Sequence, residues 1–105
     1  MARTKVEAGI CGFITEIEAV SQDFQNVSFT INTNCNNLAK LPEIIKTCDA
    51  YHELKNGFEG EIFKVTKSEL KTMCTGCVVP SAIFKTMQVA AGLALPKNVS
   101  IDISK

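Results

Sequence analysis

Apolar and polar side chains alternate along two stretches in the N-terminal third of the chain. Val27, Phe29 and Ile31 alternate with polar residues in NVSFTIN, and Ile17 and Ala19 alternate with glutamates in FITEIEAV. A period of two residues is typical of a strand with one buried face. The polar stretch SQDFQN between the two runs indicates a hairpin connection. With a further strand predicted in TKVEAGI, the chain is expected to begin as an antiparallel sheet.

Helical spacing replaces this alternation in the middle of the chain. A predicted helix there has five apolar residues on one face: Leu38, Leu41, Ile44, Ile45 and Cys48. Pro42 would lie in its first turn, where proline is tolerated. The Asn56-Gly57 pair marks a turn, so a further short helix is expected to end near Lys55.

The C-terminal half predicts two more helices and a last strand. TKSE at residues 66–69 has the spacing of a capping box, which predicts a short helix running into Met73. Pro80 suits the start of a longer helix that Pro96 ends. NVSIDISK then alternates like a strand. The sum is a single α+β domain spanning residues 1–105, an antiparallel sheet of about four strands with helices packed on one face.

Composition and charge exclude several classes of function. The 11 basic residues equal the 11 acidic ones, so no basic excess is present to neutralise the phosphates of a nucleic acid. No apolar stretch approaches the ~18–20 residues that span a bilayer. The start MARTKVEAGICGF has no apolar core of a signal peptide. We therefore expect a cytoplasmic protein that binds neither nucleic acid nor membrane.

Five cysteines are the most informative residues for function. Disulfides are rare in the cytoplasm, and an odd number leaves at least one thiol over. Cys48 is expected on the apolar face of a helix, as a small core residue. Cys11, Cys35, Cys74 and Cys77 instead fall at predicted turns and element ends, where side chains can converge without displacing core residues.

The spacing Cys74-x-x-Cys77 is compatible with a metal site. Two intervening residues let one turn bring both sulfurs to a single metal, and Gly76 would relieve the steric limits of that turn. The helix start behind the pair favours thiolate over thiol, and metals and clusters bind thiolate. Four thiolates from Cys11, Cys35, Cys74 and Cys77 suit zinc or an iron–sulfur cluster equally.

Three other interpretations of the cysteines remain open. Cys74 and Cys77 fit a thiol–disulfide redox pair, although that motif usually follows the first strand of a βαβ unit. The pair would also fit a disulfide, or the four thiols are unrelated residues without chemistry. His52 is the only histidine, so nucleophile–histidine schemes depend on that one residue, which is more simply a surface residue.

The order of elements resembles the U-type scaffold proteins of iron–sulfur cluster assembly. Cys11-Gly12 in ICGF, Cys35 in TNCNN, and Cys74 with Cys77 ahead of a late helix match the positions of that family's cluster ligands in order. The resemblance implies a sheet followed by helices, a bound cluster, and a cluster-transfer partner. Phe13 replaces the aspartate that the family places after its Cys-Gly, and a CxxC pair replaces its adjacent His-Cys pair.

A second resemblance rests on longer stretches. AGICGF and VVPSAIFKTMQVAAGLALPKNVSI are similar to a small uncharacterised cysteine-containing family of anaerobic bacteria and archaea. In that family a histidine often stands at the position of Cys74, an exchange that suits a metal ligand.

The expected function is binding of a metal or an iron–sulfur cluster, as a cluster scaffold or as an accessory to a redox enzyme. The alternatives are a thiol–disulfide protein using Cys74 and Cys77, or an interaction domain without metal, such as a homodimer formed through an uncovered sheet edge.

Overall fold

The computed structural model describes residues 1–105 and confirms the predicted α+β class. Its one sheet has four strands in the order β1-β2-β3-β4, and every neighbouring pair is antiparallel. The strands are β1 (Ala2–Glu7), β2 (Ile14–Ser21), β3 (Asn26–Thr33) and β4 (Thr47–Asp49).

Four α-helices follow or interrupt these strands. They are α1 (Leu41–Ile44), α2 (Ala50–Asn56), α3 (Glu61–Glu69) and α4 (Val79–Ala90). Single 3₁₀ turns cover Asn36–Leu38, Gly57–Glu59 and Thr72–Gly76. None of the helices combines the length and the apolar character needed to cross a membrane.

The alternation in the first strands places one face of the sheet in the core, as predicted. Ile17, Ala19 and Val27 are fully buried, whereas the residues between them point to the outer face. Helix α4 covers this buried face by packing across β1 and β2, while α1 packs against β3. Ile83 and Met87 carry the apolar face of α4 into the core, where both are fully buried.

The predicted helix through residues 38–48 is wrong in its second half. Helix α1 ends at Ile44, and Ile45 leaves the helical region with φ −103° and ψ 88°. The chain then extends as β4, where Cys48 pairs with Val27 of β3. Pairing with an open strand edge outweighs local helical spacing, because it satisfies backbone groups that would otherwise face the core. The predicted short helix near Lys55 is confirmed as α2.

The predicted capping box and last strand are also wrong. Residues 66–69 end helix α3 rather than begin a helix, and the Thr66 hydroxyl donates back to the Ile62 carbonyl at 2.9 Å. The C-terminal segment is not a strand, since residues 92–105 are exposed and none from Ala94 onward makes a backbone hydrogen bond. The alternation in NVSIDISK has no strand beside it to pair with, and the fourth strand of the sheet is β4 instead.

A buried glutamate joins α2 to α3. Glu53 is 1% exposed, and its carboxylate accepts hydrogen bonds from the Ile62 N–H at 2.8 Å and the Glu61 N–H at 3.0 Å. These N–H groups belong to the first turn of α3 and have no partner within the helix. Gly60, the residue before α3, has no side chain that could accept a hydrogen bond from them. A Cβ added at Gly60 would meet the Glu53 carboxylate at 3.0 Å, so the absence of a side chain there makes room for this cap.

Candidate metal centre

Cys11 lies in the exposed turn between β1 and β2. The turn is closed by a hydrogen bond from the Gly12 N–H to the Gly9 carbonyl at 2.9 Å. Gly9 and Gly12 have φ of 92° and 73°, a region that favours glycine, so the glycines on both sides of Cys11 set the path of this turn. A Cβ at either glycine would meet nothing within 4 Å, so the turn stands clear of the rest of the chain.

Cys35 lies at the same end of the sheet, just beyond β3. It is buried, and its N–H donates to the Thr33 hydroxyl at 3.2 Å. The neighbouring Asn34 is held to the start of β2, because the Ile14 N–H donates to its side-chain oxygen at 2.9 Å. The antiparallel order of β1, β2 and β3 therefore brings the Cys11 turn and the Cys35 segment to one end of the molecule.

Cys74 and Cys77 lie in and directly after the 3₁₀ turn that precedes α4. The Cys77 N–H donates to the Cys74 carbonyl at 3.1 Å, which folds the pair into one turn. Both thiols are half-buried. The expected steric role of Gly76 is not found, since its φ is not positive and the strained residue of this segment is Thr72, at φ 55°.

One hydrogen bond and the local electrostatics link the CxxC turn to the other two cysteines. The side-chain amide of Asn37 donates to the Cys74 sulfur at 3.3 Å, which joins the segment after Cys35 to the CxxC turn. Burial raises the pKa of the Cys77 thiol, and the nearby Cys35, Cys11 and Cys74 raise it further. The Cys11 turn, the Cys35 segment and the CxxC turn thus lie at the end of the sheet where α4 begins, and Cys77 is close enough to the other three thiols for each to affect its pKa.

The start of α4 was predicted to favour the thiolate form of the cysteines before it, but the pKa of Cys77 is raised. The Val79 N–H at the start of α4 does donate to Cys77 and lowers its pKa, as a helix N-terminus should. Desolvation is the larger effect, so the pKa of Cys77 is raised. A raised pKa disfavours the thiolate form of Cys77, which is the form that both metal binding and nucleophilic attack use.

No three side chains among the histidines, cysteines, aspartates and glutamates are arranged to hold a metal ion in this structure. All five cysteines are free thiols, so no disulfide joins any of them. The four candidate ligands are nevertheless all thiols, and the most exposed of them, Cys11, lies on a turn between two glycines.

Cys48 and His52 lie away from this end. Cys48 is in β4 opposite Val27, near the β2–β3 hairpin, and packs against the core as expected of a small apolar residue. Burial, with the charges of Glu53 and Asp49 adding to it, raises the pKa of Cys48 to about 12. His52 is exposed on α2, where its side chain lies within 3.3 Å of the Asn56 amide.

Asn37 is the residue of this site that sequence reasoning missed. It is one of several asparagines around Cys35, and the helical pattern suggested only that these residues cap a helix. Its hydrogen bond to Cys74 spans 37 positions of the chain. The sequence does show several asparagines beside a cysteine. It does not show which of their side chains donates a hydrogen bond to a sulfur elsewhere in the chain.

Residues 2–103 match DUF6951, a family of unknown function, and the chain belongs to that family. Neither the curated proteins nor the solved structures contain a significant match to the chain.

Proposed function

We propose that this protein binds an iron–sulfur cluster or a zinc ion through Cys11, Cys35, Cys74 and Cys77. The observation that supports the proposal is that Cys77 lies close enough to Cys35, Cys11 and Cys74, which are widely separated along the chain, for each of them to affect its pKa. Unrelated cysteines have no reason to gather at the ends of three different elements. Soft thiolate ligands select zinc and iron–sulfur centres over hard cations.

The exposed Cys11 turn suits a protein that accepts or passes on its cargo. A ligand on an exposed turn can be exchanged without unfolding the segments that hold the buried Cys35. The layout resembles the U-type cluster scaffolds in the order of its ligands. We therefore propose a cytoplasmic cluster scaffold, or an accessory to a redox enzyme, in anaerobic bacteria and archaea.

Anaerobic purification followed by metal and sulfide analysis tests the proposal. A cluster is expected to give a brown protein with iron and acid-labile sulfide, whereas zinc gives a colourless protein with about one equivalent of metal. Cys35→Ser and Cys77→Ser should each lose most of the bound metal. Cys48→Ser is the matched control, because it removes a thiol outside the proposed site and should retain the metal.

Wild-type protein that stays free of iron and zinc after anaerobic purification and after reconstitution contradicts the proposal. Loss of metal in Cys48→Ser equal to that in Cys35→Ser contradicts the assignment of ligands. Thermal unfolding of each variant distinguishes loss of a ligand from loss of the fold. Reversible oxidation of Cys74 with Cys77 in metal-free protein would instead support the thiol–disulfide alternative.

A further inference from the structure

The last residues of the chain form an apolar, strand-like segment with no partner. Val99, Ile101 and Ile103 alternate with polar residues and are 61%, 63% and 89% exposed. No backbone group from Ala94 onward is hydrogen-bonded. Three exposed aliphatic side chains at a period of two residues are the pattern of a half-buried strand, here without the surface that would bury it.

The sheet offers a free edge of matching length. Strand β1 pairs only with β2, so the other edge of Ala2–Glu7 carries unpaired N–H and C=O groups. Such an edge is a template for another extended segment. The side chains also match, since Ala2 and Val6 lie on the core face of β1 while the basic Arg3 and Lys5 lie on its outer face.

If residues 99–103 paired with β1, their apolar side chains would lie on the same face as the apolar side chains of β1. Val99, Ile101 and Ile103 would extend the apolar face of the sheet beside Ala2 and Val6. Asp102, on the opposite face of the segment, would then lie on the outer face beside the basic side chains of β1. The apolar faces are therefore complementary, and Asp102 would join the exposed ion pairs that Arg3 makes with Glu18 and Lys5 makes with Glu7.

The path of the chain favours a second copy over the same chain as the source of this segment. Helix α4 ends near the β2–β3 hairpin, because a Cβ at Gly92 would lie 3.2 Å from the Phe24 ring. Strand β1 begins at this same end, where Ala2 pairs with Ala19. A segment returning along its own β1 would run parallel to it, whereas a segment from another molecule can take the more stable antiparallel direction.

We propose that residues 99–103 of one molecule add as a strand to the free edge of β1 in a second copy, and that the exchange is reciprocal. The result is a two-fold symmetric dimer in which each sheet gains a fifth strand. This inference does not depend on the proposed metal site, which lies at the other end of α4.

The mass of the full-length protein in solution tests the dimer, measured with a reductant and a chelator so that neither disulfides nor metals link the chains. We expect about twice the monomer mass of 11.4 kDa. Ile101→Asp should raise the dimer Kd by about 100-fold, because two apolar side chains lose their burial and each is worth about tenfold. Ser100→Asp adds the same charge on the opposite face and should change the Kd by less than about threefold.

Mixing two differently isotope-labelled samples tests the pairing itself. The proposal predicts nuclear Overhauser contacts between Ile101 of one label and β1 of the other. A chain that stays monomeric at ~1 mM, a concentration at which even weak pairs associate, overturns it. Contacts between Ile101 and β1 within one chain only, or a dimer that Ile101→Asp and Ser100→Asp weaken equally, would also overturn it.

Discussion

At the scale of single residues, burial gives two cysteines of the same chain different reactivities. Cys11 is exposed on its turn, whereas Cys48 is half-buried beside the carboxylates of Glu53 and Asp49. With its pKa raised to about 12, Cys48 stays a neutral thiol at pH 8, and the neutral thiol is a poor nucleophile.

We therefore expect Cys11 to react first with iodoacetamide in folded, metal-free protein, and Cys48 to remain unmodified until the chain unfolds. Peptide mass mapping after a short alkylation at pH 8 measures this order. Unfolded protein in denaturant is the control, in which both thiols should react at similar rates. Labelling of Cys48 as fast as Cys11 in the folded state would contradict the burial of the Cys48 thiol.

Asp23 makes the β2–β3 hairpin sensitive to acid. Its carboxylate accepts hydrogen bonds from the N–H groups of Gln25 and Asn26 at 2.9 and 2.7 Å, and these bonds lower its pKa from 3.8 to about 2. A carboxyl with a lowered pKa in the folded state stabilises the fold above its unfolded pKa. That stabilisation is lost as the pH falls from about 4 through about 2.

The expected result is a melting temperature that falls between pH 4 and pH 2 in wild type and falls less in Asp23→Asn. The asparagine keeps a hydrogen-bond acceptor but does not titrate, so any remaining acid sensitivity reports other carboxylates, such as Asp49 with its lowered pKa. Thermal unfolding at several pH values measures the difference. Identical slopes in the two proteins would show that Asp23 does not control acid stability.

At the scale of elements, α3 depends on a cap supplied from another helix. Glu53 replaces the side-chain cap that Gly60 lacks. Glu53→Ala should destabilise the fold by about 2–3 kcal/mol, because buried N–H groups at the start of α3 lose a charged acceptor. Glu53→Gln should cost less, since an amide oxygen can still accept one of the two bonds. Glu59→Ala, at an exposed neighbouring position, is the control and should change stability little.

Gly60→Ala tests the same cap from the other side. The added methyl group would meet the Glu53 carboxylate at 3.0 Å, so it should lower stability although alanine favours helices. Urea unfolding measures all four variants. A Gly60→Ala protein as stable as wild type would indicate that the Glu53 carboxylate is free to move away.

The elements also show which parts of the fold the sequence can predict. The first strands were predicted correctly because Val27 and Ile31 face a core that α4 completes, so their alternation and their burial coincide. Strand β4 could not be predicted because three residues are too few to show an alternation of apolar and polar side chains. Its formation depends instead on pairing with the open edge of β3. The alternation of Val99, Ile101 and Ile103 is visible in the sequence, but no strand of this chain pairs with it.

The candidate site was predictable only in part for a similar reason. Cys11, Cys35, Cys74 and Cys77 stood out because they fall at turns and element ends, which can be located from the local sequence. Their mutual placement depends on strand order and on the direction of α4. The desolvation of Cys77 and the hydrogen bond from Asn37 depend on packing, which no local spacing encodes.

At the scale of the whole molecule, the two ends of the sheet differ in character. One end gathers the Cys11 turn, Cys35 and the CxxC turn, and the other carries the β2–β3 hairpin, Asp49 and His52. Helix α4 runs between them: it begins two residues after Cys77 and ends two residues before Gly92, which lies beside the ring of Phe24.

Titration of cobalt(II) into reduced, metal-free protein tests the central claim most directly, because cobalt bound by thiolates absorbs strongly and reports how many sulfurs bind it. We predict saturation at about one cobalt per chain with thiolate-to-metal absorbance, an affinity more than about 10-fold weaker in Cys35→Ser and Cys77→Ser, and no change in Cys48→Ser. Cobalt binding without thiolate absorbance, or binding that Cys35→Ser and Cys77→Ser leave intact, would contradict a shared site for the four cysteines.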